Sequence, residues 1–125
     1  MKAILFDGPG DPDVLYLGEV PAPSCGPEDV RIAVVATAVN RADLLQRRGL
    51  YAAPEGASPI LGLEAAGRVT EVGAAASAAG FAVGQRAMAV LSGGGYAEQV
   101  VVPHGQVMRV PERLTDEEAA AAHDG

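Results

Sequence analysis

The chain has 125 residues, 49% of them hydrophobic, with 16 glycines, nine prolines and a formal net charge of −7. That is enough for one domain with a true core, since a chain of this size buries roughly two thirds of its unfolded surface, and it is too apolar for disorder. The acidic balance argues against sequence-independent nucleic-acid binding, which needs Lys and Arg to neutralise phosphates. The single cysteine, Cys25, excludes a disulfide framework or a cysteine-built zinc site.

Residues 2–6 (KAILF) form a short apolar strand, stopped by Asp7-Gly8-Pro9-Gly10, a strong turn signal. The start of the chain lacks the apolar core and small-residue cleavage site of a signal peptide. No stretch approaches the ~20 apolar residues of a membrane span. A cytoplasmic domain without nucleic-acid or membrane partners is therefore expected. A second strand over residues 15–20 runs into Pro21-Ala22-Pro23, where a ladder cannot continue. Residues 30–39 (VRIAVVATAV) are β-branched and nearly continuous, which predicts a buried strand.

Asn40 follows directly and is suited to cap a helix over 42–48, with Gly49 just beyond its end in the left-handed conformation. In that helix Leu44 and Leu45 are expected to face inward. Arg41, Asp43, Arg47 and Arg48 are expected on a solvated face. Residues 50–59, with two prolines, a glycine and Tyr51, predict a surface loop. Residues 64–72 predict a long strand in which Gly67 marks a bulge or a close backbone approach. Residues 73–80 are Ala-rich between glycines and predict a loop. Residues 87–91 and 96–102 flank Ser92-Gly93-Gly94-Gly95 and predict a hairpin. After a turn at 103–106 and a strand at 107–110, Thr115 and Glu118 have capping-box spacing and should start a helix at Asp116. The many short strands indicate a mostly β fold with short helices.

The runs NRADLLQRRGLY, SPILGLEAAGRVTEVG, GGGYAE and VPERLTDEEAAA, in this order, resemble the zinc-independent NADPH:quinone oxidoreductases of the medium-chain dehydrogenase/reductase superfamily. The resemblance implies a GroES-like, partly open β-barrel over residues 1–125, the N-terminal part of a catalytic domain. It also implies hydride transfer from NADPH to quinones or related enones, and a homodimer in the full-length form. The Rossmann-type half that binds most of the cofactor is absent from this chain. No G-x-G-x-x-G opens a helix here: residues 62–67 spell GLEAAG. With the last three residues also leaving the family pattern, a truncated fragment is expected, inactive alone. The alternative is a stand-alone GroES-like binding or assembly module.

By resemblance, Asn40 lies at the nicotinamide end of the cofactor and orders the site; from the residues alone it caps the helix, and the two roles are compatible. It stands where zinc-dependent relatives carry a cysteine. Gly62-Leu63-Glu64 stands where they carry Gly-His-Glu, and leucine cannot ligate a metal, so no zinc is expected. Tyr51 either touches the quinone or pins its loop to the core. Arg41 either meets a cofactor phosphate or stays on the solvated face. Glu64 is expected to be a structural hydrogen-bonding residue, not a general acid. No Ser/His/Asp or Cys/His set is present.

Overall fold

The computed structural model describes residues 1–49, 58, 60–110 and 113–121. Its framework is a curled five-stranded antiparallel sheet, ordered β6-β3-β4-β5-β7. The strands are β3 (Asp29–Thr37), β4 (Glu64–Val72), β5 (Arg86–Val90), β6 (Gln99–Pro103) and β7 (Val107–Arg109). A separate two-stranded ribbon, β1 (Lys2–Leu5) with β2 (Tyr16–Glu19), lies beside it. The helices are short: α1 (Arg41–Arg47), α2 (Ala74–Ala78) and α3 (Asp116–Ala121). The expected half-open β-barrel is therefore found. Among the described residues no helix is long and apolar enough to cross a membrane.

β3 alternates as a strand with one face in the core must, placing Val30 and Ile32 at 0% exposure. Burying each such side chain contributes roughly 1.5–3 kcal/mol. β4 is the central strand, and its first half, from Glu64 to Gly67, is covered on both faces. Val69 packs with Val30, Ile32, Val100 and Val102 in one cluster, while Ala66 joins Met88, Val110 and Ala120 in another. Small residues dominate the first half of β4 because its neighbours approach closely. At Gly67 an added Cβ would sit 1.9 Å from the Ala33 carbonyl oxygen. Of the two expectations for Gly67, the close backbone approach is therefore found, while the register shift between Val34 and Ala36 puts the bulge on β3 opposite it. The three-residue β7 leaves little unpaired backbone at its edge of the sheet.

Two local expectations are corrected. Residues 74–78 form helix α2, not a loop. The Pro27 carbonyl accepts from the amide of Ala75 at 2.9 Å, and Ala76 is fully buried, so tertiary contacts close a turn that the sequence leaves weakly specified. The glycine cluster at 93–95 does not close a hairpin either. β5 pairs with β4 and β7, whereas β6 pairs with β3 across the sheet. The glycine segment instead lies along residues 60–63: Leu91 donates to Leu63 at 2.7 Å, Gly94 to Ile60 at 2.8 Å, Gly95 to Gly62 at 3.0 Å and Tyr96 to Leu61 at 2.9 Å. At the end of the chain the Thr115–Glu118 capping box forms as spaced. Thr115 N–H donates to Glu118 Oε1 at 3.0 Å and Glu118 N–H to Thr115 Oγ1 at 3.1 Å.

Candidate functional site

Three segments meet at the open end of β3: the start of α1, the entry to β4 and the glycine-rich loop before β6. Asn40 is the N-cap of α1 and forms a reciprocal capping box with Asp43. Asp43 Oδ2 accepts the Asn40 amide at 2.9 Å. Gly49 takes φ +81° just beyond the helix, the left-handed end expected of it.

The orientation of α1 differs from the expected one. Asp43 is 2% exposed and Arg47 7%, whereas Leu44 is exposed at 37%. The hydrophobic period of LLQRR fails here because the sheet end presents polar backbone groups to the helix, not an apolar floor. Asp43 Oδ1 accepts the Gly62 amide at 3.1 Å, and Oδ2 also accepts the Tyr96 hydroxyl at 3.1 Å. One turn on, Arg47 Nε donates to the Gly10 carbonyl at 3.2 Å, and the Arg47 carbonyl accepts the Gly10 amide at 2.8 Å. Both charged side chains are thus spent on polar partners, mostly backbone, that a leucine could not satisfy.

Tyr96 is fixed from both ends. Its backbone carbonyl accepts the amide of Ile4 in β1 at 2.8 Å, and its hydroxyl faces Asp43. Burial, then the charge and hydrogen bond of Asp43, raise its pKa well above the ordinary tyrosine value. The glycines of the cluster are there for space. Gly62, at φ +110°, would carry a Cβ 2.6 Å from Gly95 Cα. Gly95 lies against the Glu64 carbonyl and Thr37 Oγ1. Thr37 donates to that same carbonyl at 2.5 Å, tying the end of β3 to the start of β4.

Of the residues singled out from sequence, Asn40 is half-buried at the helix start and Arg41 beside it is exposed. Val39, on the other side of Asn40, is 70% exposed. Arg48 is exposed as expected; Asp43 and Arg47 are not on a solvated face. Glu64 is 3% exposed and Leu63 half-buried. Tyr51 lies outside the described residues, as does the expected 50–59 loop apart from Ser58. Among the described residues no three of His, Cys, Asp and Glu come together in a group able to hold a metal ion. An open apolar groove of about 460 Å³ borders the cluster, taking in Thr37, Gly95 and Tyr96 but not Asn40.

Sequence reasoning missed Asp43 and Tyr96 as site residues. The Asn-x-x-Asp spacing of Asn40 and Asp43 was a legible capping signal. Nothing in the chain points to the contact between Asp43 and Tyr96, 53 residues away.

Residues 26–112 match the family model of the alcohol dehydrogenase GroES-like domain. The chain belongs to that family. GroES-like domains resembling this one occur in proteins of several names. The chain is 37% identical over 123 residues to the synaptic vesicle membrane protein VAT-1 homolog of Rattus norvegicus, covering 97% of this chain and 30% of that protein. It is 36% identical over 122 residues to the quinone oxidoreductase of Pseudomonas aeruginosa, covering 96% of this chain and 36% of the relative. Among solved structures, Escherichia coli quinone oxidoreductase complexed with NADPH superposes with a TM-score of 0.84 at 27% identity, covering 98% of this chain and 37% of the other. The chain thus resembles medium-chain quinone oxidoreductases and spans about a third of the length of these relatives.

Proposed function

We propose that this chain is the catalytic-domain portion of a zinc-independent, NADPH-dependent quinone oxidoreductase acting on quinones or related α,β-unsaturated carbonyls. The observation that carries the reading is the fixed placement of Asn40 beside the Gly62-Leu63 strand entry, through the shared carboxylate of Asp43. Asn40 and Leu63 carry an amide and an aliphatic side chain, neither of them a usual zinc ligand. The donor set fits one end of the cofactor: Asn40 offers an amide for hydrogen bonding to a carboxamide, and the exposed Arg41 a guanidinium for a phosphate. When bound, NADPH supplies a hydride. The chain's own part is to orient and enclose. Asn40 sets the nicotinamide end, Tyr51 contacts the acceptor, and the remaining binding surface comes from a nucleotide-binding domain outside this chain. Reactions of this kind draw more on positioning than on a strong acid or base. The relatives described as quinone oxidoreductases, one of them solved with NADPH, support the assignment.

The test is a fusion of this chain to the remainder of the Pseudomonas aeruginosa relative, with NADPH oxidation followed in the presence of a quinone. The expected result is turnover by the fusion, undiminished by a metal chelator, and none by the chain alone. Asn40→Ala should lower kcat/KM about tenfold or more. A folded fusion that oxidises NADPH with neither quinone nor enone, or that a chelator inactivates, overturns the proposal.

A further inference from the structure

A capping box needs only one bond from Asp43, the one to the Asn40 amide, and a solvated carboxylate would make it equally well. Burying this side chain to 2% exposure therefore requires another explanation, because removing a carboxylate from water is unfavourable. Its partners supply one. Asp43 accepts from Asn40 and Tyr96 on Oδ2 and from Gly62 on Oδ1, at 2.9 to 3.1 Å. The last two partners lie 19 and 53 residues away in sequence. All three donors are neutral, so the arrangement acts as a charge-assisted hydrogen-bond clamp with no ion pair in it. Gly62 can aim its amide at the carboxylate because its φ of +110° and its closeness to Gly95 admit no side chain.

We infer that Asp43 is a positioning residue for the proposed reaction: its carboxylate sets where Asn40 stands relative to Leu63 and Tyr96. The inference rests on the quinone oxidoreductase reading and adds a residue that touches neither cofactor nor acceptor. A shift of about 1 Å in a positioning group is enough to slow a reaction by up to about a hundredfold.

Asp43→Asn tests the clamp with little change of volume. An amide has one accepting oxygen where the carboxylate has two, so in either orientation a backbone donor faces an N–H. In the fusion described above, kcat should fall about tenfold or more while KM for NADPH stays within about threefold, since remote cofactor contacts are untouched. In the 125-residue chain, the amide proton resonances of Asn40 and Gly62 should both move upfield and both lose exchange protection. A folded variant with unchanged kcat overturns the inference, and so does a response confined to the Asn40 amide, which marks a plain helix cap. If Asp43→Asn does not fold, Tyr96→Phe loosens the same clamp from its far side. It should shift both resonances and lower kcat by about threefold at constant KM; unchanged rate and resonances overturn the inference. If the unmutated fusion shows no turnover, the oxidoreductase reading fails, and the two amide resonances decide the clamp by themselves.

Discussion

Replacing Gly67 by alanine should be among the most damaging single-methyl changes in this domain. Gly67 lies in the central strand β4, paired with Val34 beside a register shift in β3. An alanine Cβ would stand 1.9 Å from the Ala33 carbonyl oxygen, 2.9 Å from its carbon and 3.1 Å from the Val35 nitrogen. Real Cβ contacts essentially never fall below 3.0 Å, so the shortest is 1.1 Å too close (3.0 − 1.9), and all three atoms are backbone. No rotamer change relieves such an overlap. Either β3 moves away, breaking ladder hydrogen bonds beside the buried Ile32, or β4 moves and opens its pairing with β5. Overpacking of a tight core typically costs about 1–3 kcal/mol, and an obligatory backbone shift belongs at or above the top of that range. The smaller freedom of alanine in the unfolded chain offsets only about 0.4–1 kcal/mol of this. Urea denaturation should therefore show Gly67→Ala destabilised by about 3 kcal/mol or more, a large share of the roughly 5–15 kcal/mol typical of a domain. Gly8 is the control, since nothing lies within 4 Å of an added Cβ there. Gly8→Ala should stay within about 0.5 kcal/mol of the parent. If Gly67→Ala also stays within about 1 kcal/mol of the parent, the close-approach account of β4 is wrong.

Three further outcomes follow from the same geometry. Arg47→Ala leaves the Gly10 carbonyl without its side-chain donor and opens space under α1, so urea denaturation should show a loss of about 2 kcal/mol. Thr115→Ala removes the cap of α3 and should cost about 1 kcal/mol, read in the same way. Tyr96 has a raised pKa when folded, so its contribution to stability is complete below the unfolded tyrosine value, about 10. That contribution is lost as the pH rises further, because the unfolded chain then gives up the proton first. Stability measured against pH should fall above about pH 10 in the parent and fall less steeply in Tyr96→Phe; parallel curves would contradict the placement of Tyr96 against Asp43.

The elements with strong local signals were legible in the chain. β3 could be read from its β-branched run, the start of α1 from Asn40 and its end from Gly49. The close approach at Gly67 and the Thr115–Glu118 cap were equally plain. Each is decided within a few residues by sterics or by a hydrogen bond to a near neighbour. The expected hairpin around Gly93–Gly95 failed because glycines there serve a different partner. They admit the 60–63 segment at backbone distance, and the resulting pairing sends β6 to the far side of β3. Helix α2 was missed for a related reason, since its first turn is closed by Pro27 and its Ala76 is held by the core.

The sequence by itself determined the β-rich fold class and the family resemblance. Only the tertiary structure decided which face of α1 points inward, and with it that Asp43 and Arg47, not Leu44, are buried. Hydrophobic periodicity assumes that a helix meets an apolar surface. Here α1 meets the Gly10 carbonyl, the Gly62 amide and the Tyr96 hydroxyl at the end of a sheet, and these partners come from 19 to 53 residues away.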